Sequence, residues 1–311
     1  MNATNEIGQR QLLEENLERL AAQRVFYSRA KTIRGINVAV VTGLILAAPA
    51  AALWLPAVSG WLALAGLVWA IVEMVLLDGL EERNRSQGAL IQEDFDTHVL
   101  GLSWNDSLGQ RPAPEEIIEA GKIGKNDPRL RNWYADVSVL PQPLAVLACQ
   151  RSCLFWDKRS RQTYEVVLIV LALLLAVGAV AFAYYRDMKL VDFLGTLAIP
   201  MLPALQHAVK TAKAHRRAGN EEERLLEELT AAWNEGLAHG GAVPAEQLRR
   251  VQDRLYQLRR EQTPIPDSLY WLLRPRLEDT TGSAIKRFIA DASAKLQLPG
   301  STPTSSTTRQ P

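Results

Sequence analysis

In the stretch QEDFDTH, Asp94 and His98 stand four residues apart. On a helix that spacing puts a carboxylate and an imidazole on one face, half of a metal site and the one candidate centre for a membrane-anchored enzyme. With four histidines in the chain no obvious partner completes it, and a structural polar cluster is the plainer reading. A Gly-rich phosphate loop, a nucleophile elbow and paired metal-spaced histidines are all missing, so no catalytic residue, metal or cofactor is assigned. Cys149 and Cys153 read as small packing residues, since no further Cys or close His completes a zinc set.

Two other groups could do chemistry. The segment QRSCLFWDKRSRQTY, Gln150 to Tyr164, interleaves cations with aromatic rings. Its arginines either anchor a following membrane span or grip phosphates while Trp156 stacks on a base. Glu73 lies inside an apolar run, where a carboxylate costs several kcal/mol unless it faces protein, water or the nearby interface; a ring of such groups in an oligomer would favour cations in a pore. Asp192, Pro200 and Pro203 interrupt another apolar run and join Glu73 as pore or gating candidates.

Those residues must be positioned by helices. Val166 to Tyr185 holds no charge, and about twenty apolar residues at about 1.5 Å rise cover the roughly 30 Å hydrocarbon core. Ile36 to Leu55 and Trp61 to Leu77 form a hairpin across the uncharged turn PAVSG, while Val166 to Tyr185 and Leu190 to Val209 form a second across RDMK. The expected fold is an all-α membrane protein of two transmembrane hairpins, with a helical module built from N-terminal, middle and C-terminal segments. The expected boundaries are 1–35 for an amphipathic helix, 36–77 for the first hairpin and 78–165 for an inserted helical segment. The second hairpin takes 166–209, further helices take 210–297, and a Pro/Ser/Thr-rich disordered tail takes 298–311.

Composition hides this plan. A net charge of +1, 22% charged residues and a mean hydropathy of −0.06 would suit a soluble chain, and they give no reason to expect a DNA or RNA polymer as partner. Local charge is more telling. Arg29, Lys31 and Arg34 precede span one, Arg159 and Arg161 precede span three, and Lys210, Lys213, Arg216 and Arg217 follow span four. By the positive-inside rule both termini and the insertion are cytoplasmic, and Trp54, Trp61, Tyr184 and Tyr185 mark the opposite interface. No apolar h-region opens the chain, so no cleavable signal peptide is expected. Leu248, Val251, Leu255 and Leu258 form an apolar stripe, the candidate surface for a scaffold that recruits a partner.

Several stretches together resemble the SMODS-associating four-transmembrane effector family of bacterial CBASS antiphage systems. They are LAAQRVFYSRAK from Leu20, IQEDFDTHVLGLSWN from Ile91, Trp133 with Tyr134, CQRSCLFWDKRSRQTY from Cys149, and RRVQDRLYQLRREQTPIPDSLYWLLR from Arg249. The resemblance implies an effector of abortive infection in the inner membrane. It would bind a cyclic oligonucleotide made by a cGAS-like synthase, form a homo-oligomer and breach the lipid bilayer. Such an anionic ligand needs guanidiniums and a stacking face, which Arg151, Trp156, Arg161, Arg250 and Arg254 are expected to supply.

Overall fold

The computed structural model describes residues 5–124 and 127–298, and every regular element among them is helical. A short helix α1 (Ile7–Arg10) precedes α2 (Glu14–Trp54), which carries the expected amphipathic segment and the first span as one 41-residue rod. At about 1.5 Å per residue it is about twice as long as the hydrocarbon core is thick. Only Leu55 separates it from α3 (Pro56–Val72). The expected turn PAVSG is therefore the first turn of a helix. Pro56 opens it, at a position whose N–H would have no partner within the helix.

A π-turn, Glu73–Leu77, joins α3 directly to α4 (Asp78–Leu100), so the second span also runs without a break into the inserted segment. Gly101 ends α4 with φ +70°, and a Cβ there would also stand 2.8 Å from Arg10 Nη1. The small helix α5 (Pro114–Gly121) lies against α2, where a Cβ on Gly121 would meet the Glu18 carbonyl oxygen at 3.0 Å.

Helix α6 (Gln142–Tyr185, 44 residues) unites the cationic segment and the third span. After it come α7 (Leu190–Phe193), a second π-turn at Leu194–Ala198 and α8 (Ile199–Ala238), which continues through the expected boundary at 209. Helices α9 (Ala245–Glu261) and α10 (Asp267–Leu296) complete the order. The last runs for 30 residues, with Pro275 inside it.

Among the described residues three helices, Glu14–Ala47, Gly60–Leu100 and Gln142–Tyr185, are long and apolar enough to cross a membrane. The chain is an all-α membrane protein. The Leu190 to Val209 segment is helical too, but Asp192, Pro200, Pro203 and His207 dilute it and it is not among those three. Trp61, Tyr184 and Tyr185 are exposed at the hairpin tips, as a headgroup belt requires.

Beyond the spans, one hydrophobic core binds α2, α4, α6, α8, α9 and α10 into a module. Phe95, Leu144, Leu147, Leu229, Trp233 and Leu255 are buried in it, and Trp233 meets Phe288 edge-to-face at 5.2 Å. Cys149 is in this core and Cys153 packs against it, with burial pushing the Cys153 thiol up to about 12. Leu248, Val251 and Leu255 are buried here and Leu258 packs on them, so the stripe expected to recruit a partner instead closes the chain's own interior. Leu298 is also buried, so disorder does not begin there; residues 299–311 lie outside the described ones.

Candidate functional site

Inside the module the apolar face of α9 carries polar residues in its own stripe. Leu248, Gln252, Leu255 and Arg259 recur at three to four, and all are buried. On α4, Glu93 and Asp96 share the face that meets them, both fully buried. Gln252 Nε2 donates to Glu93 Oε2 at 2.8 Å and to Asp96 Oδ2 at 2.9 Å. Arg249 pairs with Glu93 Oε1, and Arg259 Nη1 donates to Asp96 Oδ2 at 2.6 Å. The Tyr134 hydroxyl supplies Asp96 Oδ1 at 2.6 Å, and Gln150 Nε2 brings in α6 by donating to Gln252 Oε1 at 3.1 Å.

Two carboxylates and two guanidiniums taken out of water are tolerable only with this degree of pairing. Burial pushes the Glu93 carboxyl up to about 7, opposed by Arg249 and aided by neighbouring Asp96. In the sequence Glu93 and Asp96 stand three apart beside Asp94, and Gln252 and Arg259 keep step with the leucines, but nothing local marks the two sets as partners.

Asp94 and His98 occupy the next face of α4. Asp94 is 3% exposed and is held by two cations, Arg19 Nε at 2.7 Å on Oδ2 and Arg111 Nη1 at 2.5 Å on Oδ1. His98 Nδ1 lies 2.7 Å from the Asp94 carbonyl oxygen, and Arg19 Nη2 reaches Nε2 at 3.4 Å. Oδ2 thus ties α4 to α2 and Oδ1 ties it to the loop before α5, and no cluster fit to hold a metal is found among the described residues.

The second polar node lies at the foot of the spans. Arg161, one turn before Val166 on α6, is 7% exposed. Its Nε donates to Glu222 Oε1 on α8 at 2.9 Å, and its Nη1 donates to the Thr263 carbonyl oxygen between α9 and α10 at 3.1 Å. His215 Nδ1 is 3.3 Å from that same Nη1, and the imidazole sits edge-to-face on Tyr164 at 4.8 Å. Burial pushes His215 down to about 3, with Arg161 and Arg34 adding to the effect. Burial likewise drives Glu222 up to about 8 against the pull of Arg161. Glu222 Oε2 and His215 Nε2 have no hydrogen-bond partner among the described residues. Sequence reading singled out Arg161 but not Glu222 or His215, which are recognisable only once α6 and α8 lie side by side.

The five expected ligand residues are not gathered at one place. Arg151 donates to Thr230 Oγ1 at 2.7 Å and covers the Phe288 ring at 4.4 Å. Trp156 is half-buried on the same helix. Arg250 is exposed on the outer face of α9, and Arg254, also exposed, reaches Glu221 at 3.4 Å beside a small cavity of ≈ 170 Å³. Within the spans, Asn37 on α2 donates to Glu73, and Trp69 Nε1 donates to Asn37 Oδ1 at 2.9 Å. Asp192 and Pro203 are exposed, and Pro200 opens α8 behind the π-turn.

Long helices that run from lipid into a polar-cored module match a known pattern across nearly the whole chain: the SMODS-associating 4TM effector domain aligns with residues 5–288. The chain belongs to that family. This places it among antiphage defence effectors. A probable CBASS effector molecule from Bacillus cereus (strain VD146) is 24% identical over 273 residues, which cover 85% of this chain and 92% of the relative. No solved structure gives a significant match to this effector chain.

Proposed function

We propose that this effector senses a cyclic oligonucleotide, supplied by a cGAS-like synthase, on the module side of the inner membrane, then oligomerises and permeabilises the bilayer. The observation that carries the reading is the Arg161 node. One guanidinium ties the root of span three to α8, the continuation of the expected fourth span, and to the loop leading into α10. A ligand that repositions α9 or α10 therefore pulls on the spans through this node, alongside ties such as Lys31 to Asp267 at 2.6 Å.

The node is also incompletely satisfied, since a bare buried oxygen or nitrogen costs about 1–3 kcal/mol. Breaking it returns part of that cost, which suits an arrangement with two states of similar energy. Arg250 on the outer face of α9 is left to meet an anion from solution, with Arg254 beside it exchanging Glu221 for that anion, while Arg151 and Arg161 act on the spans. In the resting arrangement Asn37 holds Glu73, and release of that pair would turn the carboxylate toward a pore.

The test is dye release from vesicles carrying the purified effector. A panel of cyclic di- and trinucleotides should include one that triggers release, and Arg161→Gln should remove the response without preventing insertion. Vesicles that stay tight with every member of the panel would sink the permeabilisation reading.

A further inference from the structure

Where α2 and α4 leave the lipid, a groove of ≈ 420 Å³ opens between them and the turn after α5. Val25, Ile33 and Ile123 form its apolar walls, while Ser28, Thr32, Arg29 and Asn84 supply hydrogen-bond donors. Arg29 is exposed, and its contact among the described residues is the Phe26 ring at 5.4 Å, with no carboxylate partner. That distinguishes it from Arg19, Arg24, Arg34 and Arg111, each of which is paired with an acid. Ile123 stands 70% exposed at the rim, an expensive place for an isoleucine in water.

Depth decides what could fill the groove. Arg29 precedes Ile36 by seven residues and Asn84 follows Leu77 by seven, so both lie about 10 Å beyond the hydrocarbon edge. Ile33 is about 5 Å beyond it. A headgroup layer is about 5–8 Å deep on each side, and a long arginine stem reaches across the remainder. A monovalent cation, two hydroxyls and an amide around one pocket match a phosphodiester, and Ile33, on the membrane side of Arg29, matches the start of acyl chains.

We propose that this groove seats the phosphodiester headgroup of an anionic phospholipid from the leaflet on the module side. The lipid would brace α2 against α4 at the root of the first hairpin. The inference rests on α2 and α4 leading into spans and is independent of the identity of any messenger.

The experiment is native mass spectrometry of the whole protein released from vesicles of phosphatidylglycerol mixed with phosphatidylcholine. The wild type should retain phosphatidylglycerol selectively. Arg29→Gln, and separately Ser28→Leu, should lower that retention several-fold. Arg83→Gln, an exposed arginine beside Asn84 that does not line the groove, should leave it unchanged. Equal losses in Arg29→Gln and Arg83→Gln would mean diffuse surface attraction and overturn the site. So would retention that survives both groove variants, or displacement of the lipid by soluble glycerol phosphate, which would make the groove a site for free anions.

Discussion

At the scale of single residues, the module is governed by charges that have left water. Arg259 is 9% exposed and faces Asp96, so Arg259→Met would strand a carboxylate in the core. The expected loss is about 3–5 kcal/mol, read as a lowered melting temperature of the detergent-solubilised protein. Adding Asp96→Asn should recover much of it, because the stranded charge and not the missing contact is the main cost. Protonation gives an independent check. Glu93 and Glu222 are raised from about 4.5 toward 7 and 8, mainly by burial. Groups raised in the folded state stabilise it fully below the unfolded pKa, and that contribution is lost as pH rises through the folded value. His215, lowered toward 3, acts in the opposite sense and loses its contribution as pH falls below about 6.5. Two raised carboxyls outweigh one lowered imidazole, so the melting temperature should be higher at pH 5.5 than at pH 8, and Glu93→Gln should flatten the slope.

Helices carry these local events over long distances. In α6 a single hydrogen-bonded rod runs from the buried Leu144 to the exposed Tyr185, so that Arg161 and the third span move together. Thr163→Pro would remove one backbone donor and clash with the Arg159 carbonyl, at a cost of about 3 kcal/mol or more. It should leave ligand binding by the module intact while abolishing ligand-triggered dye release; release that persists would show that the rod does not transmit. The continuity of α2, α4, α6 and α8 also explains what sequence could reveal. Apolar runs of about twenty residues announced the spans because lipid imposes a length, and the short RDMK connection announced a hairpin. Helical register beyond the lipid was harder to see, because buried Gln252 and Arg259 look like solvent-facing residues until Glu93 and Asp96 are brought against them. Polar groups that pair across more than 150 positions leave no local trace in composition.

For the whole molecule, the deciding quantity is which side of the bilayer the module occupies. The positive-inside rule predicts from the cations flanking the spans that it faces inward, the side on which the proposed messenger would have to act. Thiol labelling can decide this with little background, since Cys149 is 1% exposed with its thiol held well above the ordinary range, and burial pushes the thiol of half-buried Cys153 up to about 12. Ser107 is exposed between α4 and α5, and Asp187 is exposed between α6 and α7, beyond the far end of the third span. Ser107→Cys should react with a membrane-impermeant maleimide only in inside-out vesicles, and Asp187→Cys only in intact spheroplasts. Under that pattern the second hairpin crosses the bilayer twice, which makes Leu190 to Val209 a span despite its prolines and acid. If Asp187→Cys and Ser107→Cys instead label from the same side, the third rod fails to cross and a pore built from four spans is excluded. If the two patterns are exchanged, the module faces away from the cytoplasm and the messenger could not reach Arg250 or Arg254.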